Sequence, residues 1–66
     1  MTVGTVKWFD ESKGIGSIRS KGGREVAVHY SAIQGDGFRT LSQGDEVEFE
    51  IRMTDGGLQA ANVNRH

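Results

Sequence analysis

The chain has 66 residues, a net charge of −1, ten glycines, and neither cysteine nor proline. A chain this short makes one small domain, burying only about 60% of the surface its unfolded form exposes, so residues 1–66 are read as a single domain. Lack of cysteine excludes a disulfide staple and a thiolate nucleophile or metal ligand, and no apolar run or signal-peptide pattern points to a membrane or to export; the expected setting is soluble and cytoplasmic.

Residues 2–9 read as a first strand, with Val3, Val6 and Phe9 apolar. Trp8 and Phe9 are neighbours, so alternation exposes one of them. Trp8 is the expected outward ring and Phe9 the rim of the core. Residues 15–19 read as a second strand. Ser20-Lys21-Gly22-Gly23 is a hairpin turn, because glycine supplies the positive φ that tight turns need. Residues 25–30 form a third strand, with Val26 and Val28 on one face and Glu25, Ala27 and His29 on the other. Residues 31–44 read as loop, with one helical turn at Ser31-Ala32-Ile33.

Residues 46–53 alternate most strictly. Val47, Phe49, Ile51 and Met53 point one way, and Glu46, Glu48, Glu50 and Arg52 the other, the mark of a sheet with one buried face. Asp55-Gly56-Gly57 is a second hairpin turn. Residues 58–64 are the last strand, with Ala61 and Val63 expected inward. Five short strands must close on themselves to bury their apolar faces and hide their edges. The expected fold is all-β, a five-stranded antiparallel barrel.

Pairing about the turn near Lys21–Gly23 sets Ile18 beside Val26 and Gly16 beside Val28 on the inner face. Ser17 then lies beside Ala27, and Ile15 beside His29, on the outer face. A slip of one residue would invert this, but would expose Ile18, Val26 and Val28. Ile15, Ser17, Ala27 and His29 are therefore expected to form one exposed patch, flanked by Lys7 and Trp8 and approached by Lys13.

The charge is uneven along the chain. Residues 1–40 carry six basic and four acidic side chains, and residues 41–66 carry two and five. Such asymmetry points mildly to a polar binding face. Enzyme chemistry finds no footing: no nucleophile stands with a base and an orienting group, and the Glu46, Glu48, Glu50 row reads as a solvated sheet face. Gly14-Ile15-Gly16 lacks the third glycine of a dinucleotide fingerprint, Arg19 holding that place, and no helix follows. With His29 and His66 the only histidines, no metal site and no cofactor are expected.

Several stretches, in order and spacing, resemble the bacterial cold-shock proteins over essentially the whole chain. They are Gly4-Thr5-Val6-Lys7-Trp8-Phe9, Lys13-Gly14-x-Gly16, Val26-x-Val28-His29, Ser31-Ala32-Ile33, Gly37-Phe38-Arg39-Thr40-Leu41 and Gln59-Ala60-Ala61-Asn62-Val63. The resemblance implies an OB-fold barrel that binds single-stranded RNA or DNA and serves as an RNA chaperone or antiterminator. It implies that Lys7, Trp8, Lys13, His29 and Phe38 touch nucleic acid, with Tyr30 an aromatic platform where the family usually has phenylalanine. Ile15, Ser17 and Ala27 stand where the family usually has three phenylalanines, Asp10 replaces a usual asparagine, and Leu58 replaces a usual proline.

Base–aromatic stacking contributes roughly 1–3 kcal/mol per base, so three missing rings lower the expected affinity substantially. The expectation is weak to moderate, salt-dependent binding of single strands through Lys7, Lys13 and Arg39, by a monomer, with a strand-exchanged dimer as the other state. The alternative is a barrel turned over to protein interaction or regulation, its Ile15 and Ala27 face suiting a protein partner.

Overall fold

The computed structural model describes residues 2–34 and 41–65. Five strands form: β1 (Thr2–Asp10), β2 (Ile15–Ser20), β3 (Glu25–His29), β4 (Glu46–Thr54) and β5 (Gly57–Arg65), with one 3-10 turn over Tyr30–Ala32 after β3. They close into a barrel in the order β1-β2-β3-β5-β4. The five-stranded barrel expected from the alternation is therefore present. β1 pairs antiparallel with β2 and β4, β2 with β3, and β4 with β5. Closure differs: β3 meets β5 in parallel at Ala27↔Gln59, extended by a parallel bridge Ile33↔Val63. A parallel contact needs a long connection between its strands, and the segment beyond β3 together with β4 supplies it.

The β2–β3 register is the one the inner apolar residues demand, with Ile18↔Val26, Gly16↔Val28, Ser17↔Ala27 and Ile15↔His29. Val6, Ile18, Val26, Val28, Ile33, Leu41, Val47, Phe49, Ala60 and Val63 fill the barrel. Gly4 leaves room for two of them, because a Cβ there would stand 2.9 Å from both Ile18 Cγ2 and Phe49 Cε1.

Two inward assignments need correction. Ala60, not Ala61, is buried beside Val63. Between Glu48↔Asn64 and Glu50↔Ala61 the pairing advances two residues on β4 and three on β5. The extra residue makes a bulge at Asn62, whose φ is +51°, and resets the alternation. Met53 is 80% exposed. β1 pairs with β4 only from Glu46 to Phe49, so beyond that point the β4–β5 hairpin extends past the core and its alternation no longer reports burial. Tyr30 also leaves the third strand. It opens the 3-10 turn, closed by Ile33 N–H donating to Tyr30 O at 3.1 Å.

Candidate nucleic-acid interface

The outer face is organised by a second bulge. β1 and β2 pair as Val6↔Ile18 and then Trp8↔Ser17. Two residues advance on β1 for one on β2, so Lys7 is the extra residue. Strict alternation would send Lys7 out and Trp8 in. The bulge turns both outward, leaves Trp8 47% exposed, and keeps Phe9 half-buried against the core. Gly16 permits this geometry. A Cβ on Gly16 would lie 2.6 Å from both Trp8 O and Phe9 Cδ1, a clash with backbone that no rotamer change relieves.

Beside Trp8 lie the outward residues of β2 and β3. Ile15 is 39% exposed, and Ala27 and His29 are exposed. Ser17 corrects the expected patch: it faces outward by register but is only 9% exposed. Its short side chain lies between Trp8 on β1 and Ala27 on β3, at the floor of a shallow groove of about 350 Å³ that Leu58 of β5 also lines. A second groove, about 380 Å³, lies between Trp8, Ile15, Ala27 and His29 on one side and Gln59 and Ala32 on the other. Gln59 stands in one of the family-like stretches, but the sequence does not place it at this face, because the parallel β3–β5 contact that brings it here is non-local.

His29 and Tyr30 form a paired edge to the face. Their ring centroids are 4.5 Å apart at an interplanar angle of 41°. The Ser31 N–H donates to His29 Nδ1 at 3.3 Å, and Ser31 Oγ lies 2.8 Å from the same nitrogen. A backbone donor on Nδ1 leaves Nε2 to carry the proton of the neutral ring, so His29 presents an N–H donor outward. Tyr30 N–H donates to Gly14 O at 2.8 Å. Its ring covers Gly14, where a Cβ would meet Tyr30 Cδ1 at 2.6 Å. Gly14 also has φ +69°, a conformation open to glycine and strained for most other residues.

Charge near the face is partly neutralised. Lys7 Nζ donates to Glu25 Oε1 at 2.6 Å. Glu25, which sequence reasoning placed only as an outward residue, is thus a direct partner of an expected contact. Its pKa is lowered by that hydrogen bond first and by the lysine charge second. Lys13 stays exposed at the start of β2. Phe38 and Arg39 lie outside the described residues.

Asp10 does more than add a negative charge. Its Oδ1 accepts from Ser12 Oγ at 2.6 Å, Ser12 N at 3.0 Å and Lys13 N at 3.3 Å, which closes the β1–β2 turn and fixes where Lys13 begins. The Ser12 hydroxyl is the largest cause of its lowered pKa. A carboxyl whose folded pKa is lowered supports the fold above the ordinary value, near about pH 4. That support is lost as pH falls through the folded value. Asp10→Asn keeps an acceptor but loses the charge, and hydrogen bonds to charged acceptors are the stronger ones. The variant is expected to melt slightly below the parent at neutral pH. The two melting curves should converge below about pH 4, as thermal midpoints across pH would show.

Among the described residues no helix is long and apolar enough to cross a membrane. The profile described as the 'Cold-shock' DNA-binding domain matches residues 2–66. The chain is 56% identical over 66 residues to cold shock-like protein CspD of Bacillus cereus, covering all of both chains. It is 56% identical over 63 residues to cold shock protein CspB of Bacillus caldolyticus, covering 96% of each. Cold shock-like protein CspA of Stigmatella aurantiaca is 56% identical over 64 residues, covering 96% of this chain and 94% of the relative. With the closed five-stranded barrel and the outward Trp8 face on one chain, these matches place the protein in the cold-shock domain family.

Proposed function

We propose that this protein binds single-stranded RNA or DNA on the Trp8 face, as a monomeric single-domain cytoplasmic protein of the RNA-chaperone or antiterminator type, with affinity lowered by the residues at 15, 17 and 27. The observation that carries this reading is the bulge at Lys7. It turns a cation and the indole ring outward together, beside Ile15, Ala27 and His29.

Each part has a physical role. Trp8 offers a stacking surface to any base, since every base has a π-face. Tyr30 and the Nε2 donor of His29 extend the contact at the far edge. Ile15 and Ala27 supply apolar contact without stacking. Ser17, low in the groove, contributes little area. Lys7 and Lys13 attract the phosphates, Lys7 in competition with its Glu25 partner. Phe38 and Arg39 belong to the proposal as further contacts. Broad, shallow, sequence-tolerant contacts of this sort hold a strand open and release it again, as a chaperone of RNA structure requires.

Titration with oligo-U or oligo-T, followed by Trp8 fluorescence at two salt concentrations, tests the reading. Quenching that weakens with salt is expected. Trp8→Ala, followed by anisotropy of a labelled strand, should lose about tenfold or more in affinity, with the thermal midpoint held because Trp8 is not part of the core. No quenching by high micromolar strand at low salt overturns the reading, and is what a barrel devoted to a protein partner would give.

A further inference from the structure

We propose that the tip of the β2–β3 hairpin, through Arg19, Lys21 and Arg24, is a second contact for the phosphate backbone of the same bound strand. It lies off the Trp8 face, and it rests on the single-strand reading above.

The outward side of β2 runs Ile15, Ser17, Arg19, and the turn continues to Lys21. At about 3.3 Å per residue, Ile15 to Lys21 spans about 20 Å. The row starts apolar at Ile15, passes Ser17 where Trp8 and Ala27 flank it, and is cationic where the strand ends, with Lys13 at the opposite end. A chain of bases lying along β2 would therefore meet stacking surface in the middle and positive charge at both ends.

The cations at the tip, Arg19, Lys21 and Arg24, are all exposed and make no direct ion pair among the described residues. The other described arginines do: Arg52 with Glu50 at 3.7 Å and Arg65 with Asp45 at 3.9 Å. Glu25, the carboxylate opposite Arg19 in the β2–β3 register, is taken by Lys7 at 2.6 Å. That ion pair removes part of the positive charge from the Trp8 face. Arg19 makes no direct ion pair with Glu25 and feels its charge only at longer range, behind the Lys7 hydrogen bond and charge, as the weakest cause of the lowered Glu25 pKa. Glu46 stands across a groove of about 420 Å³ that Arg19, Lys21 and Thr5 also line. Nothing lies within 4 Å of a Cβ built on Gly22 or Gly23, so the turn is open to a phosphate chain. A protein with net charge −1 thus still presents a local positive surface in line with its binding face.

The test compares the parent with the triple variant Arg19→Gln, Lys21→Gln, Arg24→Gln on two strands. One is about three nucleotides long and covers only the Trp8 face; the other is about twelve, within the range one such barrel engages. Arg52→Gln serves as a control for net charge. Each phosphate neutralised on a single strand adds about 0.7 to the salt slope. On the long strand the triple variant should lose about 2 units of slope, so that between 50 and 200 mM salt the parent's affinity falls about 20-fold further than the variant's. On the short strand the two should match, and Arg52→Gln should leave both slopes unchanged. Equal slopes for parent and triple variant on the long strand, or an equal loss in Arg52→Gln, overturn the hairpin contact while Trp8 quenching leaves the main face standing. No binding of either strand by the parent overturns both.

Discussion

A chain carrying Ile15→Phe and Ala27→Phe should bind single-stranded oligonucleotide about 100-fold more tightly than the parent, with its salt slope unchanged. Each ring restores a stacking platform worth roughly 1–3 kcal/mol, and about 1.4 kcal/mol is tenfold in affinity. Both positions face outward, border the same groove of about 380 Å³, and lie beside Trp8, so neither ring has to displace the core to reach a base. The unchanged salt slope is the diagnostic part, because stacking adds no phosphate contact and therefore no counterion release. Fluorescence titration at two salt concentrations reads both quantities. An affinity within twofold of the parent would mean that bases do not sit on the β2–β3 face. The same rings enlarge the exposed apolar patch, and such patches promote association. Sedimentation of the variant should accordingly show more self-association than the parent.

Much of this surface can be read directly from the order of residues. Ile18, Val26 and Val28 admit one register for β2 and β3, and that register alone puts Ile15, Ala27 and His29 outward. Alternation is a local property, and it holds wherever strands pair without interruption. It fails at the two bulges. At Lys7 the extra residue sends Trp8 outward, where its family-like neighbours had already placed it. At Asn62 nothing in the sequence announces the extra residue, and Ala60 replaces Ala61 in the core. Ser17 shows a different gap. Parity gives the side of the sheet a residue faces, but not whether taller neighbours on two other strands cover it. The Lys7–Glu25 ion pair and the approach of Gln59 also join residues from strands far apart in the chain. They follow from barrel closure, which no local pattern encodes.

The charge distribution on the barrel follows from the same geometry. β2 is the central strand of the outer face, flanked by β1 and β3, and whatever stands outward on it is seen from both sides. Its outward residues pass from Ile15 through Ser17 to Arg19, and the Lys7–Glu25 bridge joins its two neighbouring strands. The bridge therefore divides the face between a stacking region around Trp8 and a cationic region at the hairpin tip. Loss of rings in the first region raises the relative weight of phosphate contacts in the second, so that binding by this chain should be more sensitive to salt than to base identity.

Phe49→Ala should leave the chain largely unfolded at 25 °C, whereas Met53→Ala should leave its stability within about 0.5 kcal/mol of the parent. The two residues share one parity on β4, and the sequence treats them alike. In the barrel Phe49 is fully buried, stands where β1 still pairs with β4 at Thr2↔Phe49, and fills space that Gly4 leaves open. Truncating a buried phenylalanine costs about 3–5 kcal/mol, and a core in a chain of fewer than about 70–80 residues rarely supplies more than 3–5 kcal/mol in total. With no cysteine to cross-link the chain, no covalent staple offsets that loss. Among the described residues Met53 lies where β4 pairs with β5 and no longer with β1, and it is exposed, so removing its side chain opens no cavity there. Far-ultraviolet circular dichroism of the two variants on heating decides the matter. A Phe49→Ala chain that melts cooperatively near the parent's midpoint would contradict the packing. A Phe49→Leu variant, which refills most of the volume, should recover a folded barrel and with it the quenching of Trp8 by oligo-U, because the outer face exists only while the inner one is packed.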